Sequence, residues 1–315
     1  MLEFVIRRVL AGALVLFLLS TLLFFAMRAV PGDVVKLQLA DAGATQEQQD
    51  RLTTELGLDR PAWRQYVSWL GGVVRGDLGN SLWSKEPVTT MLGRRLPVTI
   101  QLTVLSIAFA VISGLATGII SAVKRGSLID GGLRVASVTG LSIPNFWFGL
   151  LLLTAMSLWF NWVPPLGYKD LWEDPVANLK QMWMPALALG LSVGAGLARM
   201  TRSSMLEVLH ADYVRTIRAK GATERMVNYK HVLRNSLVPI ITLVGLSFGA
   251  LLGGTVILEN MFSLPGIGGL IFDSVGNRDY PVIQAAAMLY GAIFIAVNIA
   301  VDLAYGWIDP RIRTR

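Results

Sequence analysis

Cysteine is absent from all 315 residues, which removes disulfides and Cys-based metal or redox chemistry. Histidine is nearly absent. His210 and His231 are the two that occur, and no HExxH is present, so a histidine-built metal centre is not expected. Charge is scarce as well. Asp, Glu, Lys and Arg make up 16% of the chain, against about 25% in ordinary soluble domains, and that deficit points to a solvent other than water. The GxxxxGK[ST] phosphate cradle is missing, which excludes ATP binding by that route. No GxSxG nucleophile elbow occurs either. The expectation is a non-catalytic chain with no metal and no cofactor of its own.

What is abundant is apolar: 53% of residues are hydrophobic. A bilayer core of roughly 30 Å needs about 20 apolar helical residues, and six runs qualify. They are Val9–Met27, the stretch between Arg95 and Lys124, the stretch between Arg134 and Lys169, about Met182–Ala198, about Leu237–Leu258 and about Pro281–Ala304. In the third run Pro164-Pro165 is expected to end the helix early, and the short fourth run carries Pro185 near its start. Runs this long and uniform argue against six buried helices of a soluble protein. Arg7 and Arg8 precede the first run. Its length and the lack of an A-x-A site make it an uncleaved anchor rather than a signal peptide. The fold class is therefore all-α, polytopic and six-spanning.

Charge then orients the bundle. With a cytoplasmic N-terminus, and so a cytoplasmic C-terminus, the inside segments hold sixteen basic and six acidic residues. Eight of those basic residues lie between Arg199 and Arg234. The outside segments hold twelve basic and fourteen acidic residues, with Asp302 left near the inner end of the last span. This is the positive-inside pattern, and it accounts for the net charge of +7 without nucleic acid.

Residues 31–94 form the longest outer segment. Thr45-Gln46-Glu47-Gln48 fits a capping box, Gly57 suits the end of that helix, and Pro61 suits the start of a second. Trp63, Tyr66, Val67 and Leu70 would share one face of the second helix. Trp63, Trp69 and Trp83 fit either an interfacial aromatic belt or a docking surface for an outer partner. In the spans, Asp302 is the sole candidate for buried-charge chemistry, and its place near water favours a structural role. The chain thus shows no energy source of its own, and uphill transport would need a partner. Gly245, Gly249 and Gly253 make a smooth i, i+4, i+8 stripe, and Gly114 and Gly118 make a shorter one. Such stripes serve close packing within a bundle or a face for a second subunit. Phe262–Leu270, FSLPGIGGL, reads as a turn-rich outer loop and a candidate gate.

The most unusual segment is ADYVRTIRAKGATERMVNYKHVLRNSLVPI, from Ala211 to Ile240. A short helix over Ala211–Lys220 would place Tyr213, Val214 and Ile217 on one side, with Arg215, Arg218 and Lys220 around the rest. Gly221 suits a left-handed helix end, and Thr223 suits the cap of the next helix. A helix–glycine–helix hairpin with an apolar knob ringed by basic side chains is expected. Topogenic charge alone would need no such pattern.

At this hairpin the chain resembles ABC importer permeases, whose cytoplasmic loop carries EAA-x3-G. Here the glycine is Gly221, and Arg215-Thr216-Ile217 stand where EAA is usual. Pro239 follows, and Leu233-Arg234 stand in place of the usual LP. Those departures resemble the peptide/nickel branch. So do VPGD at Val30–Asp33, LGLDRPAWRQYVSWL at Leu56–Leu70, GDLGNS at Gly76–Ser81, RLPVTIQLT at Arg95–Thr103, SIPNFWFGLLL at Ser142–Leu152, and the run FSLPGIGGL with NRDYPVIQ. The resemblance implies the first permease of a dipeptide or oligopeptide importer, with nickel, glutathione or another small solute as alternative cargo. A stand-alone channel, a secondary carrier or a sensor is a distant alternative.

The same resemblance implies a division into residues 1–30, with the tail and first span, an outer loop region 31–94, and a permease core 95–315 with its coupling loop at about 199–236. It implies a second homologous permease, two cytoplasmic ATP-binding subunits that hold ATP and Mg, and an extracellular or periplasmic substrate-binding protein. The setting is the bacterial cytoplasmic (inner) membrane. ATPase coupling would fall to Asp212, Tyr213, Val214, Arg215, Thr216, Ile217, Arg218, Ala219, Lys220, Gly221 and Ala222, with Tyr213, Val214 and Ile217 as anchors.

Overall fold

The computed structural model describes residues 2–29, 45–55, 57 and 59–308. The Val30–Asp33 motif, Leu56 and the tail from 309 lie outside the described residues. In chain order the helices are α1 (Leu2–Ala29), α2 (Gln46–Glu55), α3 (Ala62–Val74), α4 (Val88–Val123), α5 (Leu128–Ser142) and α6 (Asn145–Phe160). There follow α7 (Pro175–Leu209), α8 (Asp212–Ala219) and a single turn α9 (Glu224–Met226) that runs into a π-helical segment (Val227–Val232). The last three are α10 (Leu233–Met261), α11 (Ile267–Gly276) and α12 (Tyr280–Ile308). No strand occurs among the described residues; one isolated bridge joins Asn80 and Pro87.

Five helical stretches among the described residues are long and apolar enough to cross a membrane, and the pair α5 and α6 makes a sixth if taken as one broken span. This matches the six expected runs, with three corrections. The third run is not one straight helix: α5 and α6 meet at 104°. Ile143 precedes Pro144 and takes extended backbone, ψ 124°, because the proline ring clashes with a helical predecessor. Nor does Pro164-Pro165 end α6. The helix stops at Phe160, where Asn161 adopts φ 49°. The fourth run is far longer than its apolar stretch, since α7 carries on through Arg199 to Leu209. Pro185 and Pro239 both sit inside helices.

The chain divides into two compact units, Met1–Thr99 with Pro265–Ala296, and Ile100–Leu264 with Val297–Arg315. In the first unit Val88, Leu92, Ile267, Leu270, Val282, Ala285 and Ala286 form a core. Polar ties close it. The buried Asp279 carboxylate accepts from the Ser81 hydroxyl and from the Leu82 N–H, and the Ile267 N–H donates to the Thr99 hydroxyl at 2.9 Å. The Trp83 indole donates to the Asn277 carbonyl at 2.6 Å, so this tryptophan ties the unit to itself. The capping box is present: the Thr45 N–H donates to Gln48 Oε1 at 2.9 Å, and the Gln48 N–H to Thr45 Oγ1 at 3.4 Å. On α3 the expected face is rotated. Tyr66 and Trp69 stack against Phe24 of α1, while Trp63 and Val67 are exposed.

In the second unit α7 packs against α5, α6 and α10. Its crossing with α4 is close enough to need glycines from both helices. A Cβ on Gly114 would lie 2.7 Å from the Gly194 carbonyl oxygen, and one on Gly190 2.6 Å from that of Ser106. Small residues that let backbones meet in this way drive helix packing in lipid, where apolar surface alone gives no preference for protein over tails. The loop after α6 is drawn onto α7 by the Gln181 amide, which donates to the carbonyls of Pro165 and Gly167 at 2.8 and 2.7 Å.

Candidate functional site: a rooted hairpin and the cavity beside its root

The hairpin forms as the local signals require. Helix α8 covers Asp212–Ala219, within a residue of expectation at each end. Gly221 takes φ +82°, a conformation that costs other L-residues about 1–2 kcal/mol. The Thr223 hydroxyl then caps the next turn by accepting from the Met226 N–H at 3.4 Å.

Burial divides the hairpin into two sides. Val214 is 0% exposed. It packs with Ala122 of α4, Met205 of α7, and Val227 and Val232 of the π-helical segment, with Ile217 and Ala222 against the same cluster. Val214 and Ile217, expected on an outward knob, are thus the root that fastens the hairpin to its own chain. An eight-residue amphipathic helix must bury its apolar stripe somewhere, and the nearest apolar surface is the end of α4 and α7. Tyr213 is 39% exposed and accepts a 2.8 Å hydrogen bond at its hydroxyl from the Asn235 amide, which links α8 to the first turns of α10. Asp212, Arg215, Thr216, Arg218, Ala219, Lys220 and Gly221 are exposed. Arg218 Nε donates to Glu224 at 2.7 Å across the turn, and these bonds push the Arg218 guanidinium above its ordinary pKa. Both side chains are open to water, so the pair contributes little stability.

One helical turn from the root lies a network that the sequence did not reveal. Arg202 of α7 forks onto both carboxylate oxygens of Asp130 in α5, each at 2.9 Å. Asp130 also accepts from the Ser121 hydroxyl and from the Gly126 N–H. The carboxylate is buried, and a forked guanidinium with two further donors is what a buried charge needs. Residues 121 and 202 flank Ala122 and Met205 of the root cluster, so network and hairpin share the same stretches of helix. Beside them opens a cavity of about 720 Å³. Arg134, Arg199 and Arg202 line it with the hydroxyls of Thr117, Ser121 and Ser203.

The glycine stripes resolve separately. Gly118, like Gly114, is a packing glycine, since a Cβ there would meet the Ala198 carbonyl oxygen at 2.7 Å. Gly245 packs against Val301. Gly249 is half-buried, and Gly253 faces open space. Gly190 and Gly194, the α7 partners of the α4 glycines, carry the same four-residue spacing in the sequence. Glu259, in the last turn of α10, is fully buried. It revises the expectation that Asp302 was the one candidate for a buried span charge. In the segment 262–270, only the first half is loop, with Ser263 at φ 52°; α11 begins at Ile267.

Comparison with known proteins gives a consistent picture. Residues 114–314 match the family described as binding-protein-dependent transport system inner membrane component, and residues 1–103 match the corresponding N-terminal family. The chain is 41% identical over 313 residues to the glutathione transport system permease protein GsiC of Escherichia coli K12, covering 99% of each. It is 39% identical over 337 aligned positions to the dipeptide transport system permease protein DppB of the same strain, again covering 99% of each. Among solved structures, an inward-facing form of the MetNI methionine ABC transporter superposes with TM-score 0.57 at 16% identity, covering 70% of this chain and 96% of the other. That likeness concerns the fold.

Proposed function

We infer the working of this chain from a plain premise: it belongs to the family of binding-protein-dependent transport system inner membrane components. It is a multi-pass permease subunit of an ABC importer of the bacterial inner membrane, and the family works with ATPase subunits and a binding protein. Beyond this, we propose that the hairpin 212–222 is the coupling element that an ATPase grips. The observation that carries the proposal is the division of α8, with Val214 rooted at 0% exposure and Arg215, Thr216, Arg218 and Lys220 left outward. A knob free to swivel would lose the motion applied to it. A rooted knob passes that motion to α4, α7 and, through Tyr213 and Asn235, to α10, as rigid-body displacement of packed helices.

The cargo proposed is a short peptide. GsiC and DppB, named for glutathione and dipeptide transport, resemble this chain at 41% and 39% identity. The cavity beside the root, with its arginines and hydroxyls, supports a path for a solute that carries carboxylates. Both termini are proposed to be cytoplasmic, residues 31–94 outer, and residues 95–315 the permease core. Half of the pathway would come from a second homologous permease. Hydrolysis of ATP with Mg would take place in the partner subunits.

The test is uptake of radiolabelled dipeptide and glutathione by vesicles holding the assembled importer. Gly221→Pro cannot adopt φ +82°, and Ile217→Asp places a charge in the root. Each is expected to abolish uptake and cargo-stimulated ATP hydrolysis while the chain still inserts. Normal uptake in both variants would remove the coupling role.

A further inference from the structure

A second cavity, of about 240 Å³, lies in the first unit, where donor side chains line it together with Phe24, Leu82 and Pro281. Arg28, Arg60, Arg64, Trp69 and Gln284 all border it, and among the described residues no Asp or Glu does so. Two of these groups are buried and unpartnered: the Trp69 indole N–H and the Gln284 side-chain NH₂. Gln284 is 3% exposed. Leaving a buried donor unmade costs free energy that native proteins rarely tolerate without a reason. Arg28 Nη2 already donates to Gln65 Oε1 at 2.6 Å, and its guanidinium lies 3.5 Å from the centre of the Phe24 ring. It therefore stands fixed at the rim. Three guanidiniums at one space, with two orphan donors on side chains that border it, call for an acceptor-rich anion.

The position of the cavity identifies the source of that anion. Arg28 closes α1, the first membrane-crossing helix. Leu18, Leu22 and Phe25, in the turns just before it, are exposed large apolar side chains. An amphiphile with its tails along these residues would bring its polar group level with Arg28. The Phe24, Tyr66 and Trp69 rings beside the cavity are of the kind that sits at headgroup depth.

We propose that this cavity binds the phosphodiester of an anionic phospholipid, with Arg60 and Arg64 attracting the charge and the Trp69 and Gln284 donors fixing its oxygens. The site rests on the reading of the chain as a membrane protein and not on its cargo. It would place one tightly held lipid against α1, α3 and α12.

The experiment uses the assembled importer in nanodiscs and in detergent. Native mass spectrometry is expected to find one phosphatidylglycerol retained per permease chain after delipidation, with phosphatidylcholine lost. Titrated phosphatidylglycerol should raise the thermal midpoint of the wild type. Arg60→Gln with Arg64→Gln should weaken that binding at least tenfold. Gln284→Met, of similar volume, should weaken it several-fold while leaving the lipid-free midpoint unchanged. Equal retention of phosphatidylglycerol in the variants and the wild type would overturn the proposal. So would an equal rise of the midpoint with inorganic phosphate or a dipeptide alone, since either would make the site one for a free anion. Loss of dipeptide uptake would leave these lipid readings untouched, so failure of the transport reading and of the lipid site are separable.

Discussion

Val214→Ala is the most direct probe of how the hairpin is held. The valine is fully buried among Ala122, Met205, Val227 and Val232. Removing two methyl groups forfeits about 0.8 kcal/mol each in transfer free energy. A void of roughly 50 Å³ that fails to collapse adds about 1 kcal/mol more. The root is weakened by about 2–3 kcal/mol in all, or about 30- to 160-fold in the equilibrium between docked and undocked hairpin. The Tyr213–Asn235 hydrogen bond, with a net contribution of about 1 kcal/mol, is too small to compensate. Hydrogen exchange of amides 213–221 in the assembled importer reads this directly. Exchange should quicken by one to two orders of magnitude at fixed pH, while amides in the middle of α7 keep their protection. Cargo-stimulated ATP hydrolysis and uptake should fall together, since an undocked hairpin transmits no motion. Val214→Ile, which keeps the apolar contact, should retain most of both. Unchanged protection in Val214→Ala would refute the reasoning, because a side chain that can be truncated without loosening α8 is not its root.

Other variants test the remaining contacts. Gly118→Leu forces a side chain against the Ala198 carbonyl oxygen and Thr201. It should lower the thermal midpoint of the purified chain severely, whereas Gly253→Ala, in open space, should stay within about 0.5 kcal/mol of wild type. Tyr213→Phe and Asn235→Ala, combined in a double-mutant cycle on hairpin exchange, should show a coupling of about 1 kcal/mol; purely additive effects would deny that the bond matters. Asp130→Asn should destabilise the chain in thermal unfolding by leaving Arg202 without its charge partner. Asp130→Asn with Arg202→Met should do less harm than the two single changes added together.

What could be read beforehand depended on how local the signal was. The hairpin was legible because Gly221 and Thr223 act on their own backbone, and the Thr45–Gln48 box for the same reason. The spans were legible because apolar length is a property of a contiguous stretch. Which side of α8 turns inward was not legible, since eight residues give a stripe but not the surface it meets. The break between α5 and α6 is faint in the sequence because Ser142-Ile143-Pro144 barely interrupts the apolar run, and Pro144 is its local signal. The Asp130–Arg202 fork joins residues 72 positions apart, and nothing in a linear reading pairs them. The orphan donors of Trp69 and Gln284 exist only once α3 and α12 stand beside the same space.

The two-sidedness of α8 has an evolutionary consequence. One side is committed to the chain that carries it, so change there is punished whatever the neighbouring subunit does. Under the proposed coupling role, Arg215, Thr216, Ala219 and Lys220, exposed on the other side, would answer to that neighbour and drift in step with it. On that proposal, transplanting these outward side chains, with Val214, Ile217 and Asn235 left in place, would be the shortest route to pairing this permease with the motor of a different importer.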